Sequence, residues 1–143
     1  MPSRFSLQVT TKADDIDEVN HVSNLVYLRW VQDIAVAHSA ELGWPFSRYR
    51  AHGAIFVVRR HELDYVAPVL LGEVVRLETW VESLKAASCV RRTEIVRERD
   101  SQVVCRGKTL WAFVSFEDGR PQRIPEEIRK AFGAALAEPG PGG

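Results

Sequence analysis

The sequence predicts an α+β fold in which one long apolar helix is wrapped by a sheet of about five antiparallel strands. Two observations carry this. The stretch from Asn24 to Gly43 has no Pro or Gly before its stop, and its only Asp, Glu, Lys or Arg residues are Arg29, Asp33 and Glu41. From Ala54 onward the chain is strand after strand, with short polar links where hairpin turns belong. A chain of 143 residues is one domain's length and buries roughly two thirds of the surface its unfolded form exposes.

Taken in order, Phe5 to Thr11 alternates Phe5, Leu7 and Val9 with Ser6, Gln8 and Thr10, the period of a half-buried strand. The acidic stretch Lys12 to Asn20 follows, where Asp and Asn favour turns and caps over sheet ladders. The main helix comes next, with Ser23 or Asn24 as its N-cap and Gly43 at its stop. Leu25, Val26, Tyr27, Leu28, Trp30, Val31, Ile34, Ala35, Val36, Ala37 and Leu42 go nearly round the cylinder, so it needs cover on several sides. Gly43-Trp44-Pro45-Phe46 starts a connection. Strands are expected over Ile55–Tyr65, Glu73–Ser83, Ser88–Arg97 and Val103–Phe116, the first closed by Val66-Ala67-Pro68 because proline cannot donate to a ladder. Lys85-Ala86-Ala87 and Glu98-Arg99-Asp100-Ser101 are hairpin links. After the turn Gly119-Arg120-Pro121, a short helix begins at Pro125 with Ile128, Ala131, Phe132, Ala135 and Leu136 on one face. Residues 1–137 are read as a single domain, and 138–143 as a disordered tail.

Basic and acidic residues number 19 each, which argues against a nucleic-acid binder held by overall charge. Charge-free runs such as Tyr65–Gly72 and Thr109–Phe116 are far shorter than the roughly 18 apolar residues of a membrane span. With no apolar signal region at Met1–Phe5, the expected location is the cytoplasm. Cys89 and Cys105 lie in apolar strands and read as reduced, buried thiols. His38, His52 and His61 show no ligand clustering, so no metal site is expected. The run Asp14-Asp15-Ile16-Asp17 lacks the glycine and terminal glutamate of a calcium loop.

The densest polar chemistry is Asp15-Ile16-Asp17-Glu18-Val19-Asn20-His21-Val22-Ser23-Asn24, between a strand and the start of the main helix. The first turn of a helix has free N–H groups and a partial positive charge, so it can polarise a carbonyl and hold the oxyanion formed on attack. A carboxylate just upstream can act as general base on water or as nucleophile. Those parts suffice for hydrolysis of an activated ester. By composition alone, such a cluster more often caps a helix and turns the chain.

Asp15-Ile16-Asp17, His21-Val22-Ser23-Asn24 and Tyr27-Leu28-Arg29-Trp30 resemble the D-x-D-x-x-G-H-V-N-N-x-x-Y-L-x-(Y/F/W) signature of hotdog-fold thioesterases of the 4-hydroxybenzoyl-CoA thioesterase type. Tyr65-Val66-Ala67-Pro68, Gly72-Glu73, Ser88, Gly119-Arg120-Pro121 and Pro125-Glu126-Glu127-Ile128 resemble later family segments, so the likeness runs from about Phe5 to Phe132. It implies a curved sheet, and Asp17 as the catalytic carboxylate; Asp15 is read from the sequence as a solvated turn residue. It also implies that the backbone N–H near Asn24 polarises the thioester carbonyl. His21 either lines the site or hydrogen-bonds at the start of the helix. Two family residues differ: Asn20 stands for the usual glycine and Ser23 for the first asparagine, and asparagine tolerates the left-handed backbone that such a turn needs. Asp33 is read as a buried polar group satisfying a neighbouring chain, and Tyr27 and Trp30 as core or pocket wall.

Lys85 to Lys108 carries seven basic residues against three acidic, while Met1 to Ala35 carries three against five. Most of the arginines suit the solvent face of an antiparallel sheet. The family places coenzyme A phosphates against the hairpin before a strand serine, which nominates Lys85 and Ser88, then Arg91, with Tyr27 beside the substrate. The expectation is therefore an acyl-CoA thioesterase with no separate cofactor, coenzyme A being part of the substrate, acting as a homodimer or homotetramer with the site between subunits. The alternatives are release of acyl groups from an acyl carrier protein, and a hotdog module that binds an acyl or aromatic ligand without hydrolysing it.

Overall fold

The computed structural model describes residues 4–133. Its strands are β1 (Phe5–Thr10), β2 (Ala54–Tyr65), β3 (Val74–Leu84), β4 (Ser88–Arg97) and β5 (Gln102–Ser115). Its helices are α1 (Asn24–Glu41), α2 (Phe46–His52) and α3 (Glu126–Gly133), with a 3-10 turn at Ala13–Asp15. The strands form one antiparallel sheet in the order β1-β3-β4-β5-β2.

Alternation decides which face of the sheet is buried. On β3, Val75, Leu77, Thr79 and Val81 are buried; on β4, Cys89, Arg91, Thr93 and Ile95. Against them α1 packs Val26, Tyr27, Trp30, Val31 and Ile34, making the main core. A second core joins Trp44, Tyr49, Val81, Phe113, Ile124, Ile128 and Phe132 around α2 and α3. Both cysteines are buried free thiols, Cys89 pushed up to about 11 and Cys105 to about 12, chiefly by burial.

Two features depart from the sequence reading. The connection after Gly43 holds a helix, α2, capped by Pro45 before it and by Gly53, at φ of 100°, after it; a single two-turn helix between a proline and a glycine leaves almost no periodicity to read. The sheet covers one side of α1, leaving Leu25 and Val36 76% and 59% exposed. Helix α1 has the expected ends, with Ser23 as its cap and Gly43, at φ of 94°, just past its last residues. Ala135, Leu136 and the expected tail 138–143 lie outside the described residues. No helix among those described is long and apolar enough to cross a membrane.

Candidate active site

After β1 and the 3-10 turn, the chain folds back on itself in a narrow ladder. Ser23 N–H donates to Asp15 C=O at 2.9 Å, Ile16 pairs with Val22, and Asp17 N–H donates to His21 C=O at 2.9 Å. Glu18, Val19 and Asn20 form the tip, where Asn20 takes φ of 64°, the left-handed backbone that asparagine accepts in place of glycine. The ladder is tied down by Val22 N–H donating to Val69 C=O at 2.8 Å.

Asp17 is exposed. Its Oδ1 accepts from Val19 N–H at 3.0 Å, and Oδ2 has no protein partner among the described residues. Ile16, Asp17, Glu18 and Val19 line an open depression. His21, directly across the ladder, is also exposed.

At the start of α1, Ser23 Oγ accepts from Leu25 N–H at 3.2 Å and Ser23 C=O from Val26 N–H at 2.9 Å. The Asn24 N–H donates to no group among the described residues. One free N–H at the positive end of an 18-residue helix therefore lies seven positions after Asp17, at the same end of the fold. Tyr65 O–H reaches Asn24 C=O at 3.4 Å, bringing the end of β2 to this point.

Asp15 is not the solvated turn residue expected. It is 2% exposed, its Oδ1 pairs with Arg29 at 3.1 Å, and its Oδ2 accepts from Lys12 N–H at 3.0 Å. Asp33 is not buried in this chain: 63% of its side chain is exposed, 3.9 Å from Arg29. Tyr27 belongs to the core, edge-on to Trp30 and Tyr65, and burial pushes its hydroxyl up to about 12.

Lys85 and Ser88 are not near Asp17 in one chain. The start of β3 is beside the Asp17 ladder, since Thr11 N–H donates to Glu73 C=O at 3.0 Å. Lys85 and Ser88 flank the hairpin at the other end of β3, where Lys85 N–H donates to Ser88 C=O at 2.8 Å. A strand rises about 3.3 Å per residue, so that end is on the order of 30 Å away. Lys85 is exposed and Ser88 half-buried.

Arg91 also departs from expectation, for it is 3% exposed and lies under α1. Its Nη1 donates to His38 Nδ1 at 2.8 Å and approaches Thr79 Oγ1 at 3.3 Å. A residue that alternates inward on β4 cannot meet a phosphate in solvent. His38, without a partner by sequence, stacks on Phe5 with ring centres 5.1 Å apart. Burial, then Arg91, lower its pKa to about 4, so it is neutral and accepts from the guanidinium. The only sequence signal for this pair was a histidine on an apolar helix and an arginine at an inward strand position. No group of three or more His, Cys, Asp or Glu among the described residues is placed to hold a metal.

A family model described as the thioesterase-like superfamily matches residues 11–132. The chain is 22% identical over 123 residues to the long-chain acyl-CoA thioesterase FadM of Escherichia coli (strain K12), covering 86% of this chain and 92% of that protein. Among solved structures it resembles Slr0204, a 1,4-dihydroxy-2-naphthoyl-CoA thioesterase from Synechocystis, with TM-score 0.83 and 14% identity over 91% of this chain and 96% of that one. It also resembles SAV2348 from Staphylococcus aureus, solved in complex with CoA, with TM-score 0.88 and 13% identity over 94% and 85%. At these identities the structural likenesses establish the fold, which is the hotdog fold.

Proposed function

This chain belongs to the thioesterase-like superfamily, and from that premise we propose that it is an acyl-CoA thioesterase in which Asp17 drives attack on the thioester and the Asn24 N–H polarises its carbonyl. As a thioester hydrolase it takes water and a thioester to a free acid and a thiol. In the reading offered here the thiol is coenzyme A, which enters as part of the substrate, and no separate cofactor is called for.

The observation that carries the reading is the pairing at one end of the fold of a carboxylate oxygen and a helix N–H, neither with a protein partner among the described residues. Developing negative charge on the carbonyl oxygen is met by the Asn24 N–H and the helix end behind it. Asp17 either takes a proton from the attacking water or attacks first itself. His21, opposite Asp17 in the ladder, lines the approach. Because Lys85 and Ser88 are on the order of 30 Å from Asp17 along β3, a site using all of them draws the coenzyme A contacts from a second copy of the chain. Arg91 and Tyr27, both buried, drop out as coenzyme A contacts.

Asp17→Asn keeps the size and the Val19 hydrogen bond while removing the charge. Turnover of acyl-CoA esters, followed by free-thiol release, is expected to fall about 100-fold or more with unchanged folding. Wild-type turnover in a folded Asp17→Asn protein would exclude Asp17 from the chemistry. An unmutated protein that releases no thiol from short, long or aromatic acyl-CoA esters would remove the acyl-CoA reading altogether.

A further inference from the structure

The second core is not filled. Between the C-terminal half of α1, α2 and the inner face of the sheet lies a cavity of about 90 Å³, bordered by the exposed side chains of Val36 and Phe46. Its lining residues on α1, Ala35 to Ser39, come 11 to 15 positions after Asn24. At 1.5 Å per residue they are about 16 to 22 Å along the helix from its start. Within one chain the cavity is therefore separate from the Asp17 ladder.

Most of the wall is apolar, including Phe56 and Phe132. Two polar groups in it lack what they need. The Arg91 guanidinium, 3% exposed, has no carboxylate within ion-pair distance among the described residues. Its Nη1 donates to His38 and Thr79, and Nε and Nη2 have no acceptor among the described residues. Trp111 Nε1 is buried with no acceptor among the described residues. The two share a corner of the sheet, since Arg91 pairs with Thr109 and Cys89 with Trp111 across β4 and β5.

Every other titratable group in the wall is neutral at pH 7. Burial raises the Cys89 thiol to about 11 and the Tyr49 hydroxyl to about 12. The hydroxyls of Ser39 and Tyr49 are satisfied by each other and by Trp44 C=O. Among the described residues the cavity thus has one buried positive charge and spare donors, with lone pairs of the Ser39 and Tyr49 hydroxyls as its acceptors. A buried charge without a counter-ion is costly, and an arginine fork with a free edge matches a planar carboxylate. A phosphate would need more donors than are present. Space worth roughly three waters suits an acid of about two to four carbons.

We propose that this cavity is a binding site for a small carboxylate, its oxygens on Arg91 and the Trp111 N–H and its carbon chain against the aromatic wall.

The probe is butyrate, titrated into the full-length ¹⁵N-labelled protein in low-chloride buffer, with the indole N–H resonances followed by NMR. The Trp111 signal is identified by its absence in Trp111→Phe. Butyrate is expected to shift that signal saturably, and butyramide, its neutral isostere, to bind about tenfold more weakly or worse. Arg91→Met removes the charge while keeping an unbranched side chain, a change that buried arginines often tolerate. It is expected to weaken butyrate by about tenfold or more. Absence of a saturable Trp111 shift, equal binding of butyramide and butyrate, or undiminished binding in a folded Arg91→Met protein would each overturn the proposal. The butyramide arm decides the matter even if Arg91→Met fails to fold.

Discussion

Asp15 and Asp17 are two residues apart in one acidic run and have opposite surroundings. Asp15 is locked by Arg29 and the Lys12 N–H, which makes it a brace under the start of α1. Asp17, at the surface, keeps one oxygen without a partner among the described residues, which suits the role proposed for it. His38 shows what burial does to a titrating side chain. Its pKa in the folded protein is about 4, below the ordinary 6.5, so between those values the unfolded chain binds the extra proton. The resulting stability is fully present above pH 6.5 and is lost as pH falls toward 4. The gap corresponds to a contribution on the order of 3 kcal/mol. His38→Gln keeps an acceptor for Arg91 and removes the titration. Urea unfolding of both proteins near neutral pH and again at about pH 4.5 is expected to show a loss about 2 kcal/mol smaller in the variant. Parallel losses would place the histidine's titration outside the stability balance.

Among the elements, β1, α1 and the four later strands were legible because each carries its own period or apolar composition. The bounds of β4, Ser88–Arg97, are those expected. Helix α2 was not legible because it is stabilised from outside, by Tyr49 packing against Trp44 and Phe56. The meeting of α1 with β5 also depends on a partner far away in sequence. A Cβ added at Gly107 would be 2.9 Å from Leu63 Cδ2 and 3.6 Å from Val31 Cγ2, so the glycine lets helix and strand approach. Gly107→Val is expected to destabilise the fold by about 1–3 kcal/mol through overpacking, read as a lower midpoint in chemical denaturation. An unchanged midpoint would mean that Leu63 simply moves aside.

At the scale of the molecule, the zero net charge conceals an uneven distribution, acidic around Asp17 and basic along β4 and β5. It also hides the distance between them. Among the described residues strand β2 pairs on one side only, with β5, and Leu25 and Val36 of α1 are exposed. An unpaired 12-residue edge and an open apolar helix face are the features that a second copy would cover. We therefore expect a homo-oligomer, and light scattering at assay concentration is expected to give the mass of two or four chains. The mass of one chain, with full activity, would rule out a site shared between subunits.

What the sequence by itself determined is the order of the strands and of the main helix, and the position of Asp17, His21 and Asn24 at the start of α1. These follow from periodicity, capping and turn chemistry, which act within a few residues along the chain. The tertiary structure alone decided which polar groups meet in the interior. Arg29 reaches Asp15 from 14 residues away, and Arg91 reaches His38 across 53. It also decided that Lys85 and Ser88 stand at the far end of the sheet from Asp17. Such choices depend on contacts between segments remote in sequence, where the cost of burying a charge selects the partner and local pattern carries no record of it.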